Sequence, residues 1–190
     1  MLRPLETHLL MDSLTDSQLV VRLNHGDEEA FAVLYARHAP WTARIARRFV
    51  DTDSEAAEVT QEVFLRWLRQ FPGFQPRAKL STYFYAAARN VALDRRRKDR
   101  RLHFSDAIEA TLPPEAVPDP VVAAEHSGSL RIALSRLPDG FREVLLMRVV
   151  DGMSVEDVAV ALGVAEGTVK SRLARAIELL RQQMGADESP

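Results

Sequence analysis

The sequence predicts an all-α chain of two small helical domains joined by a flexible acidic linker. Three observations lead there. Apolar residues recur at helical spacing along nearly the whole chain, and no stretch alternates as a half-buried strand does. Four prolines, Pro113, Pro114, Pro118 and Pro120, fall within eight residues and interrupt that pattern. A helix, a tight turn and a second helix are written into residues 153–176.

The elements follow in chain order. Leu19, Val20 and Leu23 mark a helix over 16–24. A second starts near Asp27 and carries Phe31, Leu34, Tyr35 and His38. Pro40 lies near the start of a third, which holds Trp41, Ile45 and Phe49 and is broken over 51–54. Residues 55–70 form an amphipathic helix with Val59, Val63 and Trp67 in one row, Phe64 and Leu68 beside it. Prolines and a glycine make 71–76 a loop, and a helix resumes from Leu80 to about Lys98. Residues 102–128 read as the linker, without a fold of their own. Helices over 129–137 and 139–150, split at Pro138, precede the helix–turn–helix. The domain boundaries expected are a tail over 1–14, a first domain over 15–101, the linker over 102–128, a second domain over 129–184 and a tail over 185–190.

Composition narrows the chemistry. A chain of 190 residues without cysteine has no disulfide, thiolate metal site or cysteine nucleophile. Residues 1–14 include Arg3, Glu6 and Asp12 and lack the apolar run of a signal peptide. No stretch approaches the roughly 20 apolar residues of a membrane span, so a cytoplasmic location is expected. His8, His25, His38, His103 and His126 are scattered, and no metal-ligand cluster, nucleophile–base pair or phosphate loop is visible. Neither an enzymatic activity nor a cofactor is expected. The net charge of −2 hides a division: residues 89–101 carry seven basic and two acidic residues, whereas 103–128 carry five acidic and no basic ones. A binding stripe beside a non-binding linker has this distribution.

In the helix–turn–helix, Ser154 caps the first helix with Asp157 at the reciprocal position. Val155, Val158, Ala159 and Leu162 share its apolar face, and Gly163 supplies a left-handed stop. The second helix buries Val169, Leu173, Ala176 and Leu180 and shows Thr168, Ser171, Arg172 and Arg175, with Lys170 beside them. Hydroxyls and guanidinium groups on one face suit the DNA major groove, where Arg pairs with a guanine edge or a phosphate. A helical hairpin with a solvated basic face has the same local pattern.

Two further constellations precede it. Glu58, Gln61 and Glu62 make an acidic and amide surface, either a solvated face or a seat for a basic helical partner. Over 80–98, Leu80, Phe84, Ala87, Ala88 and Val91 form a buried stripe, with Tyr83 and Tyr85 near the helix start and Asn90 one turn before the basic run. Aromatics beside cations serve single-stranded nucleic acid, and a core tyrosine pair above a basic surface helix is the plainer alternative.

These constellations, in this order and ahead of this helix–turn–helix, resemble bacterial sigma factors of the extracytoplasmic-function group within the sigma-70 family, from about Ser17 to Met184. Gly26 to Phe31 with Leu34, Tyr35 and His38 resembles region 2.1, Glu58 to Leu65 region 2.2, Leu80 to Arg97 regions 2.3 and 2.4, and Gly152 to Leu180 region 4.2. Tyr83 stands where many members have Trp, Ala86 where an Arg is common, and Ala56 and Ala57 thin the acids before Glu58.

The resemblance implies a sigma region 2 helical bundle, a region 4 helix–turn–helix, and a promoter-specificity subunit that directs core RNA polymerase to −35/−10 promoters. It implies that Glu58, Gln61, Glu62 and Phe64 dock on the β′ clamp helices, with the β flap as a further polymerase contact and an anti-sigma factor as a further partner. Duplex −35 DNA falls to Thr168, Lys170, Ser171, Arg172 and Arg175. The opened, single-stranded −10 element falls to Gln75, Arg77, Lys79, Tyr83, Arg89, Asn90, Arg95, Arg96, Arg97 and Lys98. Either tyrosine can instead be core, and of the two the resemblance favours Tyr83 for that place, because the Trp of the family is commonly packed there. The linker is expected to thread toward the RNA-exit region of the polymerase. A plain regulator that binds an operator as a dimer is the rival, and it predicts tight DNA binding without polymerase.

Overall fold

The computed structural model describes residues 11–104 and 128–186, with side chains over 11–98 and 130–184. The expected linker therefore lies outside the described residues except at 102–104 and 128, as do its threading and most of both tails. Eight helices are described, with no strand among these residues: α1 (Asp16–Asn24), α2 (Glu28–Ala46), α3 (Asp53–Leu68), α4 (Leu80–Phe104), α5 (Gly128–Ser135), α6 (Asp139–Val149), α7 (Val155–Leu162) and α8 (Glu166–Ala186).

Helices α1 to α4 form the first unit. The Thr15 hydroxyl caps α1, and Gln18 returns the bond to the Thr15 N–H at 2.9 Å. Asp27 caps α2, accepting from the N–H groups of Glu29 and Ala30. Asp16 ties the two helices, receiving Arg37 at 2.6 Å and His38 at 2.8 Å. Helix α2 runs through Pro40 without a break, against the expectation of a new start there. An interior proline costs about 3 kcal/mol, but Ala39, Thr42, Ile45 and Ala46 around it are buried against α3 and α4, and that packing decides. Met11, placed in the tail by the sequence, is 1% exposed and belongs to this core.

Trp67 is the centre of the first unit. Its ring stacks on Phe31 at 6.4 Å and meets Phe71, Phe74 and Phe84 edge-on at 5.2, 5.7 and 5.1 Å. These contacts hold the loop after α3 and the start of α4 to one core.

Helices α5 to α8 form the second unit, around Leu137, Leu145 and Ala176 with Leu134, Phe141, Leu173 and Leu180. Arg142 binds the open end of α5, donating to the carbonyls of Leu134, Ser135 and Leu137. The units meet where α7 packs on α4. Val144, Met147, Met153, Val158, Ala159 and Val169 join the core of the first unit rather than closing a separate one.

Trp67→Ala removes the residue that the other rings pack on. It should cost about 3–5 kcal/mol of stability, read as a lower urea midpoint in the full chain. A loss below about 1 kcal/mol would mean that the aromatic cluster closes over the gap.

Candidate polymerase and nucleic-acid interfaces

The acidic face stands on α3. Thr52 caps the helix and Glu55 closes the capping box, its carboxylate accepting the Thr52 N–H at 2.8 Å. Val59, Val63, Phe64 and Trp67 turn inward, which sends Glu58, Gln61 and Leu65 outward and leaves Glu62 half-buried. Arg95 crosses from α4 to this face. It donates to Glu58 at 2.8 Å and, through Nε and Nη2, to Glu62 at 3.1 and 2.9 Å. Arg66 also bonds Glu62. Burial would raise the Glu62 carboxyl, but Arg95 and Arg66 outweigh it and hold the group below the usual carboxylate range. The like-charge cost of Glu58 and Glu62 at i,i+4 is thus offset from another helix.

Two expectations change here. Arg95, assigned by its place in the basic run to the −10 strand, is committed to the acidic face. Phe64, assigned to polymerase contact, is 2% exposed and packs on Tyr35 at 4.8 Å and Phe84 at 4.7 Å. It supports the face from beneath. The apolar groups available on the surface are Leu65, 50% exposed, which the sequence left unassigned, and Leu68, which the sequence placed beside the inward row and the structure exposes.

The second face is the start of α4 and the loop before it. Asn24 pins that loop: its carbonyl accepts the N–H groups of Gly73 at 2.7 Å and Phe74 at 3.0 Å, and its amide donates back to Phe74 O at 2.9 Å. Nothing in the pattern around Asn24 announces this role, because the bond spans 50 residues. Gln75, Arg77 and Tyr83 line a cleft of about 710 Å³ with Gln70, Phe74 and Ala86, and Val160 and Ala161 of α7 form its far wall. Tyr83 is half-buried and accepts from Gln70 Nε2. Tyr85 is fully buried and is the core member, whereas Tyr83 faces the cleft.

Asn90, Arg97 and Lys98 are exposed farther along α4, on turns that follow Tyr83 and Ala86. Arg96 is half-buried beside Arg48, Arg89, Arg142 and Glu143. Lys79 and Arg89 are engaged by the second unit: Lys79 Nζ lies 2.8 Å from Asp157, and Arg89 Nε lies 2.6 Å from Glu143. The structure therefore gathers Gln75, Arg77 and Tyr83, leaves Asn90, Arg97 and Lys98 along the helix, and draws Lys79, Arg89 and Arg95 into ion pairs.

The third face is the helix–turn–helix, α7 and α8. The capping box forms as expected, with Asp157 N–H donating to Ser154 Oγ at 3.0 Å and Ser154 N–H to the Asp157 carboxylate at 3.3 Å. Gly163 ends α7 at φ 65°, ψ 36°, the left-handed conformation that glycine adopts without steric cost. Val169 and Ala176 are fully buried, which turns Lys170, Ser171 and Arg175 to solvent and leaves Thr168 and Arg172 half-exposed. Lys170 lies 3.4 Å from Glu166 and Arg175 2.6 Å from Glu178, both exposed pairs that a phosphate or base edge can replace at little cost. The Arg172 guanidinium lies over Gly140 of α6.

A helix–turn–helix at one end and an aromatic, basic helix above a pinned loop at the other define a DNA-reading protein of the sigma type. Comparison with known proteins identifies the family. Residues 34–102 match Sigma-70 region 2 and residues 127–180 match Sigma-70, region 4. The chain is 33% identical over 171 residues to the ECF RNA polymerase sigma factor SigM of Mycobacterium tuberculosis, covering 90% of this chain and 85% of that one. It is 30% identical over 182 residues to the ECF RNA polymerase sigma-E factor of Escherichia coli, covering 90% and 95%. A solved structure, CnrH in complex with the cytosolic domain of CnrY, superimposes with a TM-score of 0.64 at 26% identity, covering 91% of this chain and 99% of that one. The chain belongs to the ECF RNA polymerase sigma factors. Its function is promoter recognition for RNA polymerase through regions 2 and 4. Among the described residues, no helix is long and apolar enough to cross a membrane.

Arg95→Gln should let the Glu62 carboxyl rise, because the guanidinium that opposes its burial is gone. Carboxyl NMR titration of the full chain reads this directly. A Glu62 midpoint unchanged by the substitution would assign its depression to Arg66 alone.

Proposed function

We propose that the three faces divide the work of initiation. The acidic face of α3, through Glu58, Gln61 and Glu62 with Leu65 and Leu68 at its edge, seats the β′ clamp helices. The β flap takes the second unit. The exposed side of α8, Thr168, Lys170, Ser171, Arg172 and Arg175, reads the −35 element as duplex. The cleft at the start of α4 takes an unstacked −10 base, with Tyr83 as stacking face, Gln75 and Asn90 as amide partners, and Arg77, Lys79, Arg89, Arg96, Arg97 and Lys98 against the strand phosphates. No reacting group is assigned, since exchanging base stacking for protein stacking and phosphate contacts is work that binding performs. The protein works in the cytoplasm, beside the polymerase, and an anti-sigma factor is a further partner.

The observation that carries this reading is that the two surfaces are built from different residues on one core. The acidic surface stands on α3 and the cleft is lined from the loop and the start of α4, both resting on one aromatic core, so a polymerase helix and a DNA strand can be held together. An operator-binding dimer needs neither. The test is run-off transcription from a genomic promoter library with core polymerase and this protein.

Two substitutions follow. Glu58→Gln with Glu62→Gln should weaken co-purification with core polymerase and leave the helical circular-dichroism signal unchanged. Unaltered co-purification would sink the assignment of that face. Arg172→Ala should cost roughly 1–3 kcal/mol of −35 affinity and relax preference at one base pair. A uniform loss over all sequences would make Arg172 a phosphate contact.

A further inference from the structure

Asn24 does not line the cleft at the start of α4, yet two groups that do line it depend on Asn24. It is the last residue of α1, half-buried, and its side-chain partners lie 49 and 50 residues farther along the chain. One amide makes three bonds. Its carbonyl accepts from Gly73 N–H at 2.7 Å and Phe74 N–H at 3.0 Å, and its NH2 donates to Phe74 O at 2.9 Å. Only one orientation fits, because turning the amide over sets its NH2 against two N–H groups. Both backbone polar groups of Phe74 are held, and with them the direction in which the chain leaves for Gln75. The Phe74 ring is buried and meets Trp67 at 5.7 Å and Tyr83 at 5.6 Å, edge-on to both. Gln75 is thus placed through the chain, and Tyr83 through a ring contact. The Gln75 side chain is exposed and bonds to none of the described residues, so its amide is available to a base edge.

We propose that Asn24 is a positioning residue for base selection: by holding the Gly73–Phe74 backbone it sets the frame in which Gln75 and Tyr83 meet an unstacked −10 base. This role rests on the assignment of the cleft to that base. Grip on a strand and choice of a base come from different contacts. Phosphate pairing and ring stacking accept any sequence. Choosing a base needs a donor or acceptor held in register with its edge, since a displaced amide meets the wrong base as well as the right one. A loop without its pin still binds a strand, but Gln75 is then ordered only on binding and fits several edges. Loss of Asn24 therefore flattens base preference more than it weakens binding.

The same loop can be disturbed from its other side. Gly73 holds φ 110°, where a side chain strains the backbone, and a Cβ there meets nothing within 4 Å. Gly73→Ala thus changes the shape of the loop without a clash and without touching Asn24.

The test uses core polymerase reconstituted with the full chain. The probe is a pool of fork-junction DNA randomised over the −35 duplex and over a single-stranded −10 tail, and the bound fraction is sequenced. A well-placed base contact discriminates by roughly 5- to 150-fold. Asn24→Ala should lower the ratio of best to worst base at one −10 position by at least about fivefold and leave the −35 ratios unchanged. Gly73→Ala should flatten the same position, and the double variant no more than either, because both act through one loop. Ratios that both single variants leave intact, or losses spread alike over −10 and −35, overturn the role of Asn24. If Asn24→Ala does not fold, Gly73→Ala decides by the same readout. Gln75→Ala and Tyr83→Ala separate the two levels. If they flatten a −10 ratio that Asn24→Ala leaves intact, the cleft assignment stands and the positioning role alone falls. If they move no −10 ratio, the cleft assignment falls and takes the positioning role with it.

Discussion

Arg48 leaves the turn after α2 and closes on Asp151 with both ends of its guanidinium. Neither group has more than 5% of its side chain exposed. Removing two such charges from water costs several kcal/mol each, and only a well-aligned fork returns most of it. The pair therefore adds little net stability but tolerates only one geometry. That geometry sets where the second unit sits on the first. Once Asp151 is seated, α6 is placed so that Glu143 reaches Arg89 and Tyr85, and α7 so that Asp157 reaches Lys79 and Thr82. Burial and the neighbouring Glu143 push the Tyr85 phenol well above its ordinary value, which keeps it a neutral donor there.

Beneath this contact lies the aromatic cluster. Phe64 and Trp67 belong to α3, Phe71 and Phe74 to the loop, and Phe84 to α4, with the rings in mutual contact. The acidic face is the outer side of the helix whose inner side holds the loop. Polymerase docking and strand capture are consequently built on the same few rings. A cavity made in this cluster disturbs both surfaces, whereas a charge change on the outside of α3 disturbs one.

What could be read from the sequence was local. The Ser154–Asp157 capping box, the left-handed Gly163 and the centres of the apolar stripes of α3, α4, α7 and α8 depend on residues a few positions apart and formed as their spacing required, while Leu68, Val155, Leu162, Leu173 and Leu180 at the stripe edges stay partly exposed. The family resemblance added the order of the regions. What could not be read depends on how helices cross. Arg95 lies within a basic run, yet its distance to α3 takes it to Glu58 and Glu62. Tyr83 and Tyr85 are two residues apart on one helix, and the neighbours each meets, Trp41 and Glu143 for Tyr85 and Phe74 for Tyr83, settle which is buried. Pro40 is a breaker by local rules and is overruled by packing on both sides of it. Phe64 has the size and position of a contact residue, and the rings of Tyr35 and Phe84 claim it instead.

Asp157 belongs both to a helix cap and to the contact between the units. Its carboxylate accepts from the Ser154 hydroxyl at 2.7 Å and the Ser154 N–H within α7, and from Lys79 and Thr82 across the interface. Burial would raise this carboxyl from 3.8, but Lys79, Ser154 and Thr82 together lower it to about 2. The group is therefore charged at neutral pH, and its pairing is lost only as pH falls through that lowered value. The bonds to Ser154 lie within α7 and do not depend on Lys79 or Thr82, so the cap of α7 is local. The helix–turn–helix is held to the first unit by more than ions, since Val144, Met147, Met153, Val158 and Val169 share its core. Arg175 of α8 stays exposed in this arrangement, so the side of α8 proposed to read duplex is not the side that packs on the first unit.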